Sequence, residues 1–133
     1  MVRRTNVHKK TTVLTWKEFD EAAAKLAKMI KKSGKVYSGI SGIERGGLPL
    51  AVKLSNLLNL PYIRYPTVMA QSHALLIDDI SDGGKTLAFY KKKICHPQTT
   101  FVTWVVKKNT KFIPDFYVKK VEQYEWVVFP WEE

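Results

Sequence analysis

The chain has a single cysteine, Cys95, in 133 residues. A lone cysteine closes no intrachain disulfide, which excludes a small disulfide-stapled secreted scaffold. Cys95 reads as a small buried hydrophobe. Long apolar runs are missing too. No stretch without Asp, Glu, Lys or Arg exceeds the 13 residues of Tyr65–Ile77, whereas a membrane span needs about 20. Met1-Val2-Arg3-Arg4 has no apolar run behind it. No signal peptide and no membrane partner are expected, and a cytoplasmic location is. The three histidines, His8, His73 and His96, are scattered without zinc spacing. Acid is scarce: 12 Asp and Glu face 22 Lys and Arg, a net charge of +10. Such a surface attracts nucleic acid, anionic membrane or small phosphates, and charge alone does not choose among them. The first 35 residues carry ten Lys/Arg and three Asp/Glu. Arg3, Arg4, Lys9 and Lys10 read as a solvated basic arm, and Lys91–Lys93 as a solvated helix face.

What is present is a globular composition, 45% hydrophobic with 4 Trp, 6 Tyr and 6 Phe. It forms one domain, 1–133, with residues 1–12 an arm or edge strand. The first helix is well marked. Thr15 as N-cap with Glu18 three residues on makes a capping box, and Leu14 with Phe19 makes a hydrophobic staple. Trp16, Phe19, Ala23, Leu26 and Ile30 follow at helical spacing, and Gly34 stops the helix. Trp16 and Trp104 read as core. Further on, the pattern predicts a strand over Val36–Ile40, a loop over Ser41–Gly47 and a helix over about Leu48–Leu58. Strands follow at Tyr62–Tyr65 and Ala74–Ile77, then a helix over about Lys85–Ile94. Thr100–Val106, Phe116–Val118 and Glu125–Phe129 complete the strands. The alternation predicts an α/β fold with a mostly parallel sheet flanked by helices. Ligands in such sheets sit beyond the carboxyl ends of the strands. Two loops fall there, Ser41–Gly47 and Asp78–Thr86.

The second loop carries the chemistry. A buried-type strand delivers Asp78 and Asp79, and Gly83-Gly84 then opens a helix at Lys85-Thr86. Backbone N–H groups at a helix start hold phosphate, and glycine lets it approach. Carboxylates beside a phosphate repel it unless hydroxyls or Mg²⁺ intervene, so a sugar phosphate with a metal resolves the conflict. A Walker loop is excluded because Asp79 stands where glycine is required. A serine-hydrolase elbow around Ser41 fails at Ile43.

The apolar strand followed by Asp78-Asp79-Ile80-Ser81-Asp82-Gly83-Gly84-Lys85-Thr86 resembles the 5-phosphoribosyl-1-pyrophosphate (PRPP) motif of type I phosphoribosyltransferases. Leu14-Thr15-Trp16, Ser41-Gly42-Ile43-Glu44-Arg45-Gly46-Gly47-Leu48 and Glu125-Trp126-Val127-Val128-Phe129-Pro130-Trp131-Glu132 extend the likeness. Together they make most of 13–132 similar to the small bacterial xanthine–guanine enzymes. The resemblance implies the type I phosphoribosyltransferase fold with a small C-terminal base-binding hood, about 108–133. It implies transfer of the phosphoribosyl group of PRPP to N9 of a 6-oxopurine, with Mg²⁺ as cofactor and a dimer or tetramer as assembly. Asp78 and Asp79 would hold the ribose hydroxyls, with Asp79 at the metal. The Asp82, Gly83, Gly84, Lys85 and Thr86 backbone would hold the 5-phosphate. Arg45 and Gly46 would grip pyrophosphate, with Glu132 helping, and Glu44–Arg45 is the expected cis peptide. Asp82 would be the general acid/base facing N7. Lys107 would donate to the 6-oxo group, Trp126 would stack on the base, and the Val127 backbone would contact its edge.

Two departures stand out. Pro66–His73 replaces the long closing loop of the family, which leaves slow turnover or hydrolysis of PRPP open. Val128 stands where the xanthine–guanine enzymes carry an acid near the purine 2-substituent. The alternative reading is a PRPP- or nucleotide-sensing regulator, or a nucleic-acid-binding protein, that keeps the fold.

Overall fold

A computed structural model describes residues 10–132. Arg3, Arg4, Lys9 and His8 lie outside the described residues. The chain order is β1 (Lys10–Val13), α1 (Trp16–Lys32), β2 (Gly39–Gly42), α2 (Leu48–Leu58), β3 (Ala74–Ser81), α3 (Lys85–Phe89), β4 (Thr100–Lys107), β5 (Lys119–Val121) and β6 (Glu125–Val128).

Helix α1 starts where its capping box requires. Glu18 N–H donates to the Thr15 hydroxyl at 3.1 Å, and Thr15 N–H donates to the Glu18 carboxylate at 2.9 Å. Two orphan donors are thereby satisfied reciprocally. Phe19, Ala22, Ala23, Leu26, Ala27 and Ile30 form its buried face. Lys31 and Lys32 complement the negative end of the helix dipole. Gly34 takes φ +76° just beyond the end, a conformation that glycine adopts without a Cβ penalty. Trp16 is not core: it is 55% exposed and lies over Phe19 and Trp131 with ring centroids at 5.4 and 6.0 Å. It occupies the first helical position, where the buried stripe has not yet begun. Trp104 is fully buried.

Strands β2, β3, β4 and β5 form one parallel sheet in that order, and β1 pairs with β6 in a second, two-stranded parallel sheet. Both faces of the central strands are covered, so they read as apolar runs. Leu75, Leu76, Ile77, Phe101, Val102, Trp104 and Val105 are all buried there.

Several boundaries differ from the sequence reading. Strand β2 starts at Gly39, because its partner β3 starts at Ala74, directly opposite. Val36 therefore lies outside the sheet, 86% exposed. Tyr62–Tyr65 contributes only a bridge at Tyr62, opposite Ile40. Phe116 likewise makes only a bridge to Val102, and regular pairing resumes at Lys119. Strand β3 runs on through both aspartates to Ser81, because β4 continues to pair with it as far as Val106. Helix α3 passes into a π turn over Tyr90–Ile94.

Residues 66–73 fold down onto the body instead of standing free. Thr67–Ala70 form a 3₁₀ turn with Val68 buried, and Met69 C=O accepts from His96 N–H at 3.0 Å.

Candidate active site

The site lies where β2 and β3 end. Residues 43–47 leave β2 and turn back beneath β3: Ile43 N–H donates to Ile77 C=O at 2.8 Å, and Gly47 N–H to Ile43 C=O at 2.8 Å. The Glu44–Arg45 peptide is cis. Arg45 and Gly46 face Asp79 and Glu132 across a cavity of about 740 Å³, with Trp131 on its wall. A Cβ on Gly46 would collide with the Asp79 carboxylate. Glu132 is held by the Phe129 N–H, which donates to its Oε1 at 2.9 Å.

All residues from Asp78 to Leu87 line an adjoining cavity of about 400 Å³. Its loop is braced from behind. Ser81 Oγ donates to Phe112 C=O at 2.6 Å, and Lys111 N–H donates to Gly83 C=O at 3.1 Å. The two glycines do different jobs. Gly83 faces open space. Gly84 has φ +92°, and a Cβ there would sit 2.5 Å from the Phe112 nitrogen. Gly84→Ala is therefore expected to cost about 1–3 kcal/mol of stability, read as a lowered Tm, whereas Gly83→Ala should leave Tm nearly unchanged. An unchanged Tm in Gly84→Ala would contradict this packing.

The carboxyl pair is electrostatically tense. Burial first, and then the Asp79 carboxylate, push the Asp78 carboxyl up to about 8. Burial also raises Asp79, with Glu132 adding repulsion. Asp79 N–H donates to Asp78 Oδ1 at 2.9 Å. Such a pair favours protons, hydroxyl donors or a cation.

Asp82 and Lys107 meet at the far end of this loop. Their Oδ1 and Nζ are 3.8 Å apart. Lys107 is buried, and its Nζ donates to the carbonyls of Gln123 and Glu125 at 3.0 and 2.5 Å. An ammonium has three N–H groups, so these two carbonyls leave one. Trp126 and Val127 follow Glu125 on β6, Trp126 half-exposed and Val127 packed against the core. The Glu125 carboxylate accepts from Thr12 Oγ1 at 2.7 Å and from Glu122 N–H at 2.9 Å, which ties β6 to β1. The structure thus gathers Asp78–Thr86 in one cavity, Arg45, Gly46, Asp79 and Glu132 in a second, and Asp82 beside Lys107. Gln123, which touches both Asp82 and Lys107, is the residue that no motif marked.

A glycine loop at the carboxyl edge of a parallel sheet, beside a half-buried acid pair, marks an α/β protein whose fold matches that of purine phosphoribosyltransferases. No protein-family model matches the chain. It is 26% identical over 140 residues to the xanthine-guanine phosphoribosyltransferase of Idiomarina loihiensis, across 90% of this chain and 85% of that one. A purine phosphoribosyltransferase from Pyrococcus horikoshii superposes with a TM-score of 0.77 at 29% identity, covering 93% of this chain and 95% of that chain. A hypothetical protein of Neisseria gonorrhoeae with bound ppGpp shares the fold at a TM-score of 0.76 and 19% identity, over 94% and 90% of the two chains. In sequence the chain is similar to the bacterial xanthine–guanine phosphoribosyltransferases and in fold to a purine phosphoribosyltransferase, the likeness its motifs suggested.

Proposed function

We propose that the chain is a Mg²⁺-dependent purine phosphoribosyltransferase that joins the 5-phosphoribosyl group of PRPP to N9 of a 6-oxopurine, releasing pyrophosphate. The meeting of Asp82, which lines the Asp78–Thr86 cavity, with buried Lys107 is the observation that carries this reading. A phosphate loop alone would serve a sensor equally well. An acid on that loop, beside a lysine donor at the end of β4, serves a base that sheds a proton while its oxo group is held.

The loop backbone over Asp82–Thr86 takes the 5-phosphate, with the open space at Gly83 admitting it. Asp78 and Asp79 take the ribose hydroxyls, whose O–H groups relieve the repulsion between the two carboxyls. Arg45 and the Gly46 backbone face the pyrophosphate across the second cavity. The third N–H of Lys107 addresses the 6-oxo group, Trp126 covers the ring, and the Val127 backbone meets its edge. The C1–O bond to pyrophosphate breaks, the C1–N9 bond forms, and Asp82 receives the proton that the purine loses.

The residues fit the metal. Among the described residues no cluster of three or more His, Cys, Asp or Glu forms a metal cage. One or two carboxylates plus substrate oxygens is the usual Mg²⁺ arrangement, and Asp79, facing Arg45 and Glu132, supplies the protein part. When bound, Mg²⁺ neutralises charge on the leaving pyrophosphate.

Pyrophosphate release from PRPP with Mg²⁺ tests this reading, with guanine, hypoxanthine, xanthine, adenine or no base. Release that depends on a 6-oxopurine is the expected result. PRPP binding without base-dependent release would replace the enzyme by a nucleotide sensor.

A further inference from the structure

Gln123 lies in the turn between β5 and β6, and its side chain joins two loops of the site. Its Nε2 donates to Asp82 Oδ1 at 3.0 Å, and its Oε1 accepts from the Asn109 N–H at 3.0 Å. The amide orientation is fixed by chemistry. A backbone N–H only donates, so the oxygen must face Asn109, which leaves the nitrogen for Asp82. The Gln123 carbonyl meanwhile accepts from Lys107 Nζ at 3.0 Å. One residue therefore touches the acid, the ammonium and the loop after β4.

The arrangement has a physical consequence. The Asp82 side chain is 58% exposed and projects from a loop, whereas Lys107 is buried 3.8 Å from the same oxygen that Gln123 holds. The other charged pair nearby, Lys108 with Glu122 at 3.9 Å, is solvated and flanks the turn. Released from Gln123, Asp82 would be drawn onto Lys107. A closed ion pair would occupy the third N–H of Lys107 and turn the carboxylate away from a ligand. A hydrogen bond to a charged group is strong enough to oppose that collapse.

We propose that Gln123 is the positioning residue of this site. It fixes Asp82 Oδ1 and keeps its contact with Lys107 at 3.8 Å, longer than a hydrogen bond. Asp82 Oδ2 and the third Lys107 N–H then stay available, side by side, to one planar ligand. This rests on the phosphoribosyltransferase reading above.

Two variants separate positioning from a merely structural role. Gln123→Ala removes both side-chain bonds. Gln123→Glu keeps an acceptor for the Asn109 N–H and loses the donor to Asp82. We expect Gln123→Ala to lower kcat about tenfold, the loss of about 1.4 kcal/mol of transition-state stabilisation, with the KM for PRPP within about twofold. Gln123→Glu should fall at least as far, although it is expected to keep a Tm near that of the parent. Unchanged kcat in Gln123→Ala, or recovery in Gln123→Glu, would overturn the assignment while leaving the enzyme reading intact. A parent chain without base-dependent pyrophosphate release would overturn both.

Discussion

Asp82→Asn is expected to bind PRPP as the parent chain does and to lose turnover by about 10²–10⁴-fold, the range that general acid–base catalysis contributes. The substitution is nearly isosteric. Asn at 82 still offers an oxygen to Gln123 Nε2, so the contact at 3.0 Å can survive and the loop between Ser81 and Gly84 keeps its braces. What disappears is the group that accepts the proton of the purine. Charge is lost beside Lys107 as well, yet that ammonium retains its two backbone carbonyls. Steady-state kcat, with PRPP affinity measured separately by calorimetry, checks the split. Unchanged turnover would remove Asp82 from the mechanism.

Asp78→Asn is expected to stabilise the fold near neutral pH. The carboxyl has a folded pKa of about 8 against an ordinary 3.8, through burial and the Asp79 carboxylate. A group whose pKa is higher in the folded state contributes stability that is fully present below its unfolded pKa. That contribution is lost as the pH rises through the folded value. The window here is therefore about pH 4 to 8. At pH 7 the ionisable side chain therefore costs stability. Asn keeps an oxygen for the Asp79 N–H, which now donates at 2.9 Å, and has no proton to lose. The Tm of Asp78→Asn should exceed that of the parent by several degrees at pH 7.5, and the two should converge at pH 3.5. A variant less stable than the parent at every pH would refute the assignment. The gain should be paired with weaker PRPP binding, since a strained carboxyl pair is stability given up for function.

Much of the fold was legible because local chemistry and tertiary packing agree. Thr15 and Glu18 cap α1 as their spacing requires, and α2 runs from Leu48 to Leu58 as read. The strand carrying Asp78 and Asp79 was evident from Ala74–Ile77. Its extension to Ser81 was not, because that depends on how far β4 pairs alongside. The same holds for Val36, which has no partner opposite it, and for Phe116, which finds only the single bridge to Val102. Trp16 shows the converse error: helical spacing placed it on the apolar face, but the helix begins there and solvent covers one side. In the site, Asp82 and Lys107 could be named from motifs. Their separation of 3.8 Å is a property of how the loop after β3 meets the end of β4. Gln123 carried no signal at all, since a glutamine in a turn is ordinarily a solvated side chain. Its importance comes from three hydrogen bonds to residues 14, 16 and 41 positions away. The short segment 66–73 also reads differently in three dimensions. With Val68 buried and Met69 bonded to His96, it is packed onto the body.

The most direct measurement is product identity. The chain would be incubated with PRPP, Mg²⁺ and an equimolar mixture of guanine, hypoxanthine, xanthine and adenine, and the nucleotides formed would be assigned by mass spectrometry alongside pyrophosphate. A 6-oxopurine nucleoside monophosphate appearing in equal amount to pyrophosphate is the expected result. PRPP left intact, or consumed only to ribose 5-phosphate, would contradict it.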